Sequence, residues 1–337
     1  MPRPRLKAIV WMKPYAFDQV LSQAELDRLS EVVDVLDIRQ DEFPTDESLD
    51  DPRLRQAEII LSSWGLPRMN ARMLSALPSL RAIFHAAGSV KSFVTDELWD
   101  RGIRVSSAAE INARPVGEFT FSMIVLSLKR VWPRITAQRE SGLYLPNDPL
   151  LVGAAGSTVG LLGLSRTGRL VREQIRRLDV SVIAYDPLVS PAEAAALDVE
   201  LVSMEEVFAR SHVVSCHIPL LDETIGLLRR EHFAAMRPGA TFINTARGAI
   251  VQEDELAEVL ASRPDLWALL DVLTVEPPAA DAVLPALPNV IVTPHLAGSL
   301  GPECLRMSRA MIDEISRFSA GQSLQGEFIR TQLAICA

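Results

Sequence analysis

Three residues of complementary chemistry follow short apolar runs in the second half of the chain. Arg247 comes just after "ATFINTA", Glu276 just after "LWALLDVL" and His295 just after "NVIVTP". Together they make one chemical kit. Hydride addition to a ketone leaves an oxyanion that needs a proton; a histidinium can give it, and can take it back in the reverse direction. A carboxylate beside the imidazole fixes its orientation and favours the charged form. An arginine can hold a substrate carboxylate through two parallel bonds and polarise the adjacent carbonyl. Singly, each has an ordinary reading: a surface arginine, a loop glutamate, a structural histidine. Asp271 lies inside the apolar run "WALLDVL". A carboxylate there needs a partner, and a cofactor amide would serve.

These side chains converge only if the runs before them are strands of one parallel sheet, because open α/β sheets bind ligands outside the carboxyl edge. The chain reads that way. "KAIVWM", "VDVLDI", "EIILSS", "LRAIFH" and "IRVSS" alternate with helical patterns in the first half. "TVGLLG", "VSVIAYD", "VELV", "HVVSCHI", "ATFINTA", "LWALLDVL" and "NVIVTP" do so in the second. Strands apolar on both sides indicate parallel sheets covered on two faces. Capping boxes at Ser22-x-x-Glu25 and Ser203-x-x-Glu206 open two of the helices. Between the series lies "INARPVGEFTFSMIVLSLKR", a long helix apolar on nearly all sides, expected to be buried between domains or subunits. The turn-rich stretch 141–157 reads as an excursion, and helix 302–320 as the last element, with no strand after it, returning to the first domain. The expected fold is two doubly wound parallel-sheet α/β domains with a cleft between them.

"TVGLLGLSRTGRLV" supplies the loop such a sheet would offer a dinucleotide. The spacing reads Gly163, Ser165, Gly168 where the fingerprint has three glycines. A buried-strand run precedes it, an amphipathic helix follows, and the next strand ends in Asp186. An acidic residue there holds the ribose hydroxyls and repels a 2′-phosphate, so NAD is expected over NADP. Ser165 can donate a hydrogen bond to a phosphate oxygen, Arg166 adds charge, the helix N-terminus supplies free N–H groups, and Thr167 is expected among the cofactor-binding residues.

The net charge of −9 argues against a nucleic-acid backbone or an anionic membrane as partner. Cys216, Cys304 and Cys336 are too scattered for a disulfide framework or a metal cluster, so a cytoplasmic protein without metal is expected. The apolar run near the N-terminus ends too early for a signal peptide, and "FTFSMIVLSL" is too short to span a bilayer.

The stretches "VGLLGLSRTGR", "YDP", "CHIPLLDETIGLL", "MRPGATFINTARGAIVQEDEL", "LDVLTVEPP" and "NVIVTPHLAG" occur in one order and spacing over roughly residues 80–300. By them the chain resembles the NAD-dependent D-isomer-specific 2-hydroxyacid dehydrogenases. The resemblance implies that Arg247 binds substrate carboxylate and carbonyl, that His295 is the general acid/base, and that Glu276 is its partner. It implies that Asp271, Ala246 and Gly298 hold the nicotinamide end and that His217, Ile218 and Pro219 line the adenosine. Thr224 and Thr245 fall in the matched stretches and are counted with the cofactor residues. It further implies a flavodoxin-like substrate domain, 1–111 completed by 300–337, a Rossmann domain, 112–299, and a homodimer through the long helix. Backbone N–H groups near Gly88 and Ser89 should meet the substrate carboxylate. Two positions depart from the pattern: Ser165, and Lys91 where the family carries an acidic residue. His85 and Lys91 make that loop more basic, although a core histidine and a solvated lysine are the simpler readings. Glu276 in place of glutamine argues against a formate dehydrogenase. A non-catalytic NAD(H)-sensing protein of the same fold is the alternative; a methyltransferase would have no use for the three residues.

Overall fold

The computed structural model describes residues 5–144, 148–151 and 153–335. Part of the excursion at 141–157, and Cys336, lie outside the described residues. The chain divides into two compact units, one running to Ala113 and resumed by Ser299–Ile335, the other Arg114–Gly298.

In the first unit, β1 (Lys7–Trp11), β2 (Asp34–Arg39), β3 (Ile59–Ser62), β4 (Ala82–His85) and β5 (Arg104–Ser107) form a parallel sheet in the order β2-β1-β3-β4-β5. Val10, Ile60 and Phe84 are fully buried, as a sheet covered by helices on both faces requires. Trp11 pairs with Ser62, Ser62 with His85 and His85 with Ser107, so four strand ends lie level.

The second unit holds β6 (Ser157–Leu162), β7 (Val180–Tyr185), β8 (Glu200–Leu201), β9 (Val213–Cys216), β10 (Thr241–Asn244), β11 (Trp267–Leu270) and β12 (Val290–Val292). They are parallel in the order β8-β7-β6-β9-β10-β11-β12. Chain order reverses on either side of β6, which creates a topological switch point at its carboxyl end. Leu162, Cys216, Asn244, Leu270 and Val292 are in register, so this edge is level too. Both sheets are thus the doubly wound kind expected.

Local signals act as read. Glu206 accepts from the Ser203 N–H at 3.0 Å, and its own N–H donates to the Ser203 hydroxyl at 3.2 Å. Glu25 reaches back to the Ser22 N–H at 3.3 Å. The long helix, Ala109–Leu128, is only partly covered within this chain. Thr120 and Ile124 are fully buried, while Arg114, Glu118 and Ser122 are exposed and Phe119, Phe121 and Met123 are half-buried. Polar residues at helical spacing give it one wet stripe within the chain.

The C-terminal segment differs from expectation. Helix Cys304–Ser319 returns to the first unit, placing Met307, Met311, Ile312 and Ile315 in its core. It is not the last element. Strand β13 (Glu327–Phe328) follows and pairs antiparallel with β5. Two residues are too few to show a period in sequence. The strand is held by side chains instead: Arg104 donates to both oxygens of Glu327 at 2.6 and 2.8 Å. Buried Glu314 accepts the Gln325 and Gly326 N–H groups and the Ser106 hydroxyl at 2.9 to 3.0 Å.

Among the described residues no helix is long and apolar enough to cross a membrane, and no cluster of His, Cys, Asp and Glu could hold a metal ion.

Candidate active site

Arg247, Glu276 and His295 all belong to the second unit and leave the level carboxyl edge of β10, β11 and β12. His295 Nδ1 lies 2.6 Å from Glu276 Oε2. The other carboxylate oxygen accepts the Leu273 N–H at 2.9 Å, so the glutamate is fixed before it touches the ring. Nε2 of His295 has no partner among the described residues, and the side chain is half exposed. His295 sits at φ 51°, a left-handed conformation uncommon outside glycine. Its N–H donates to the Asp271 carbonyl at 3.0 Å, which holds the turn. Strain of this kind concentrates at functional sites and costs on the order of 1–3 kcal/mol. Arg247 is largely shielded from solvent. Burial pulls its guanidinium below the ordinary value, and the Glu276 charge opposes that.

The glycine turn is a cradle. Gly163 has φ 91°, and a Cβ there would stand 3.0 Å from the His217 carbonyl. A Cβ on Gly168 would strike the Gly163 carbonyl oxygen. Helix Arg166–Ile175 starts at this turn with no side-chain cap on its first N–H groups, which leaves them for an anion. The Ser165 hydroxyl has a partner within the chain: its Oγ donates to the His217 carbonyl at 2.9 Å, tying two loops together. The free backbone donors, with exposed Arg166 and half-buried Thr167 beside them, carry the phosphate-binding capacity. Asp186 stands at the end of β7 and accepts the Leu164 and Leu188 N–H groups at 2.7 and 2.9 Å. Two lone-pair positions remain on that carboxylate for ribose hydroxyls. His217 is buried, bonded through Nε2 to the Ser215 hydroxyl at 3.0 Å, and its Nδ1 is an orphan. Burial pushes its pKa down to about 3, so the ring is neutral. Together with Ile218 and Pro219 it forms an uncharged wall beside the glycine turn. An uncapped helix start, a carboxylate with spare acceptors and an orphaned ring nitrogen at one sheet edge fit a dinucleotide.

Because Gly168 meets backbone rather than a movable side chain, Gly168→Ala is expected to lower stability by about 1–3 kcal/mol, the range for overpacking. Urea denaturation checks this; a midpoint equal to that of the native protein would show the turn to be looser than described.

Asp271 closes on the segment that carries His295. It is buried, and its partners are within the chain: the Thr293 hydroxyl at 2.6 Å and the Leu296 and Ala297 N–H groups, both at 2.9 Å. Its need for partners is met without a cofactor amide, and one acceptor position remains. Its evident work is to hold the chain around His295. Thr224 likewise turns inward. It donates to the Pro219 carbonyl at 2.7 Å and accepts from the Leu221 N–H at 2.8 Å, closing loop 219–224. The Thr245 hydroxyl is 3.0 Å from that of Thr120. Gly298 follows Ala297 on the same segment and is half-buried.

Asn244 also shapes the site, from the end of β10. Its amide donates to the Arg247 carbonyl at 3.0 Å and its oxygen accepts the Ala246 N–H at 3.0 Å, shaping the loop that carries Arg247. The available signal was an amide at the end of the apolar run "ATFIN". Thr293, which holds Asp271, is a second such residue.

In the first unit, Gly88 and Ser89 follow β4 and are half-buried. His85, just before them, is a core histidine: its Nδ1 lies 2.9 Å from the Ser62 hydroxyl, and burial pushes its pKa down to about 3. Lys91 is half-buried.

Residues 122–297, just over half the chain, match the family model described as "D-isomer specific 2-hydroxyacid dehydrogenase, NAD binding domain". The chain is 33% identical over 261 residues to D-3-phosphoglycerate dehydrogenase of Mycobacterium tuberculosis (strain ATCC 25618 / H37Rv). It is 32% identical over 259 residues to the enzyme of that name from Homo sapiens. Each alignment takes in 77% of this chain but 48% of the relative, so the chain spans about half the length of the curated relatives it matches. Among solved structures, the TT0316 protein from Thermus thermophilus superposes with TM-score 0.74 at 28% identity, covering 95% of this chain and all of that one. The apo form of D-mandelate dehydrogenase from Rhodotorula graminis shares the fold, with TM-score 0.79 at 23% identity over 97% of this chain and 98% of its own.

Proposed function

Since the chain belongs to the D-isomer specific 2-hydroxyacid dehydrogenase family and carries its NAD-binding domain, we propose that it interconverts a 2-oxo acid and a D-2-hydroxy acid with NAD(H). The observation that carries this is the 2.6 Å contact between Glu276 and His295, level with Arg247 on one sheet edge.

In this reading Arg247 of the second unit grips the substrate carboxylate and polarises the carbonyl; in the first unit, the N–H groups of Gly88 and Ser89 are donors suited to a carboxylate. His295 gives its proton from Nε2 to the carbonyl oxygen during reduction and removes it from the hydroxyl during oxidation. Glu276, fixed by the Leu273 N–H, orients the ring. Gly163, Ser165, Arg166, Thr167, Gly168 and Asp186 hold the pyrophosphate and ribose; His217, Ile218, Pro219 and Thr224 bound the adenosine; Thr245, Ala246, Asp271 and Gly298 bound the nicotinamide. When bound, NADH supplies the hydride and NAD⁺ accepts it. The first unit carries the substrate loop and the second the cofactor. The half-buried Phe119, Phe121 and Met123 favour a homodimer through the long helix, and the free buried thiols of Cys216 and Cys304 fit a reducing cytoplasm.

NADH absorbance with a panel of 2-oxo acids tests the reading: steady oxidation is expected. Tight NADH binding with no turnover of any 2-oxo acid would leave a binding protein in its place. Asp186 also fixes the cofactor. NADH should give clearly higher kcat/KM than NADPH, and Asp186→Ala should narrow the gap by removing the carboxylate that competes with a 2′-phosphate. Equal use of both cofactors by the unaltered protein would count against Asp186.

A further inference from the structure

We propose that the substrate's side chain is aromatic and that it packs on a platform formed by Tyr15 and Trp64. This rests on the reading above, in which the Gly88–Ser89 loop meets the substrate carboxylate. The platform and that loop leave the same edge of the same sheet. Tyr15 opens helix Pro14–Val20 just beyond β1, Trp64 follows β3, and Gly88 follows β4. The strands β1, β3 and β4 are neighbours with level ends, so successive loops stand about 4.8 Å apart.

The loops are also tied to one another. The Lys13 N–H donates to the Trp64 carbonyl at 2.9 Å. The Ser63 hydroxyl donates to the Ala86 carbonyl at 2.9 Å. Gly65, at φ 90°, lets the Lys13 stem cross where a side chain would collide with it. On this frame the rings of Tyr15 and Trp64 stack, with centroids 6.4 Å apart and planes inclined by 18°. Tyr15 is nevertheless 52% exposed, the condition of a surface built to receive something flat and apolar rather than of a core residue.

Charge points the same way. A phosphorylated substrate would need a cation with unspent capacity. The Lys13 ammonium is held by Glu42 at 2.8 Å. Arg39, at the end of β2, is buried among Asp37, Asp41 and Asp51 at 3.1 to 3.8 Å. The hydroxyls of Ser62 and Ser63 are spent on His85 and Ala86. Between Lys13 and Ser63 the edge therefore offers aromatic surface rather than an unspent cation; the exposed Arg68 stands four residues past Trp64 in sequence.

The experiment compares phenylpyruvate, pyruvate and 3-phosphohydroxypyruvate by NADH oxidation, in the full chain and in Tyr15→Ala and Tyr15→Phe. Calorimetric binding of D-phenyllactate and D-lactate to the NAD⁺-saturated protein is measured alongside. Phenylpyruvate should exceed pyruvate in kcat/KM by at least about tenfold, the scale of burying one aromatic side chain. Tyr15→Ala should lose about five- to tenfold on phenylpyruvate and change pyruvate by less than about twofold, while Tyr15→Phe keeps the preference. A preference for pyruvate overturns the proposal. So does a preference for 3-phosphohydroxypyruvate, which would move recognition to Lys91, and so does an equal loss on all substrates. If no 2-oxo acid is reduced, the oxidoreductase reading fails separately, and calorimetry decides: preference for D-phenyllactate that Tyr15→Ala abolishes supports the platform, and its absence removes it.

Discussion

His295→Ala is expected to reduce the rate of 2-oxo acid reduction by at least about 10²-fold, the usual scale of general acid–base catalysis. The ring meets Glu276 through Nδ1 and leaves Nε2 without a partner among the described residues, so alanine removes the proton that the pair presents to substrate. NADH affinity, followed by fluorescence titration, should change little, because the groups that hold the pyrophosphate and ribose, at Gly163–Gly168 and Asp186, follow β6 and β7, away from β12. Retention of reduction to within about tenfold in the alanine variant would assign the proton to another group.

Arg247→Lys is expected to lower kcat/KM for 2-oxo acids by about 10²-fold, through a raised KM and a reduced kcat. Lysine keeps the charge but lacks the planar fork that grips a carboxylate through two bonds. Each hydrogen bond to a charged group contributes roughly 1.5–3 kcal/mol, so losing one such bond spans about 10- to 150-fold. The site is severe on the replacement for a second reason. Burial already disfavours charge at Arg247, and an ammonium yields its proton under burial more readily than a guanidinium does. Initial-rate kinetics with NADH saturating decide this; KM and kcat both within about twofold of native would take Arg247 out of substrate binding.

The alternation of strand and helix was legible because parallel strands are apolar on both faces and announce themselves as continuous runs. Val10, Ile60, Phe84, Leu161 and Phe242 all come from such runs and are fully buried. The placement of Arg247, Glu276 and His295 was legible for the same reason: a residue just past a run must leave the sheet's edge. What stayed hidden depends on partners distant in sequence. Strand β13 exists through Arg104 and Glu314, which no local pattern around Glu327 reveals. The donors that satisfy Asp271 come from Thr293, Leu296 and Ala297, across the next strand. The acceptor of the Ser165 hydroxyl, the His217 carbonyl, lies 52 residues away in sequence.

The return of the chain to the first unit sets an order for folding during synthesis. The second unit is one continuous stretch, Arg114–Gly298, and can close on itself as soon as it has emerged. The first unit cannot. Its core lacks Met307, Met311, Ile312 and Ile315 until helix Cys304–Ser319 arrives, and the outer side of β5 stays bare until Glu327 and Phe328 pair with it. At ordinary elongation rates the interval between Ala113 and Ser299 lasts roughly 10–40 s. For that time a nascent sheet with an unsealed apolar face and an open edge must be kept from self-association, so chaperone occupancy should concentrate on the N-terminal third and be discharged only when the last helix docks.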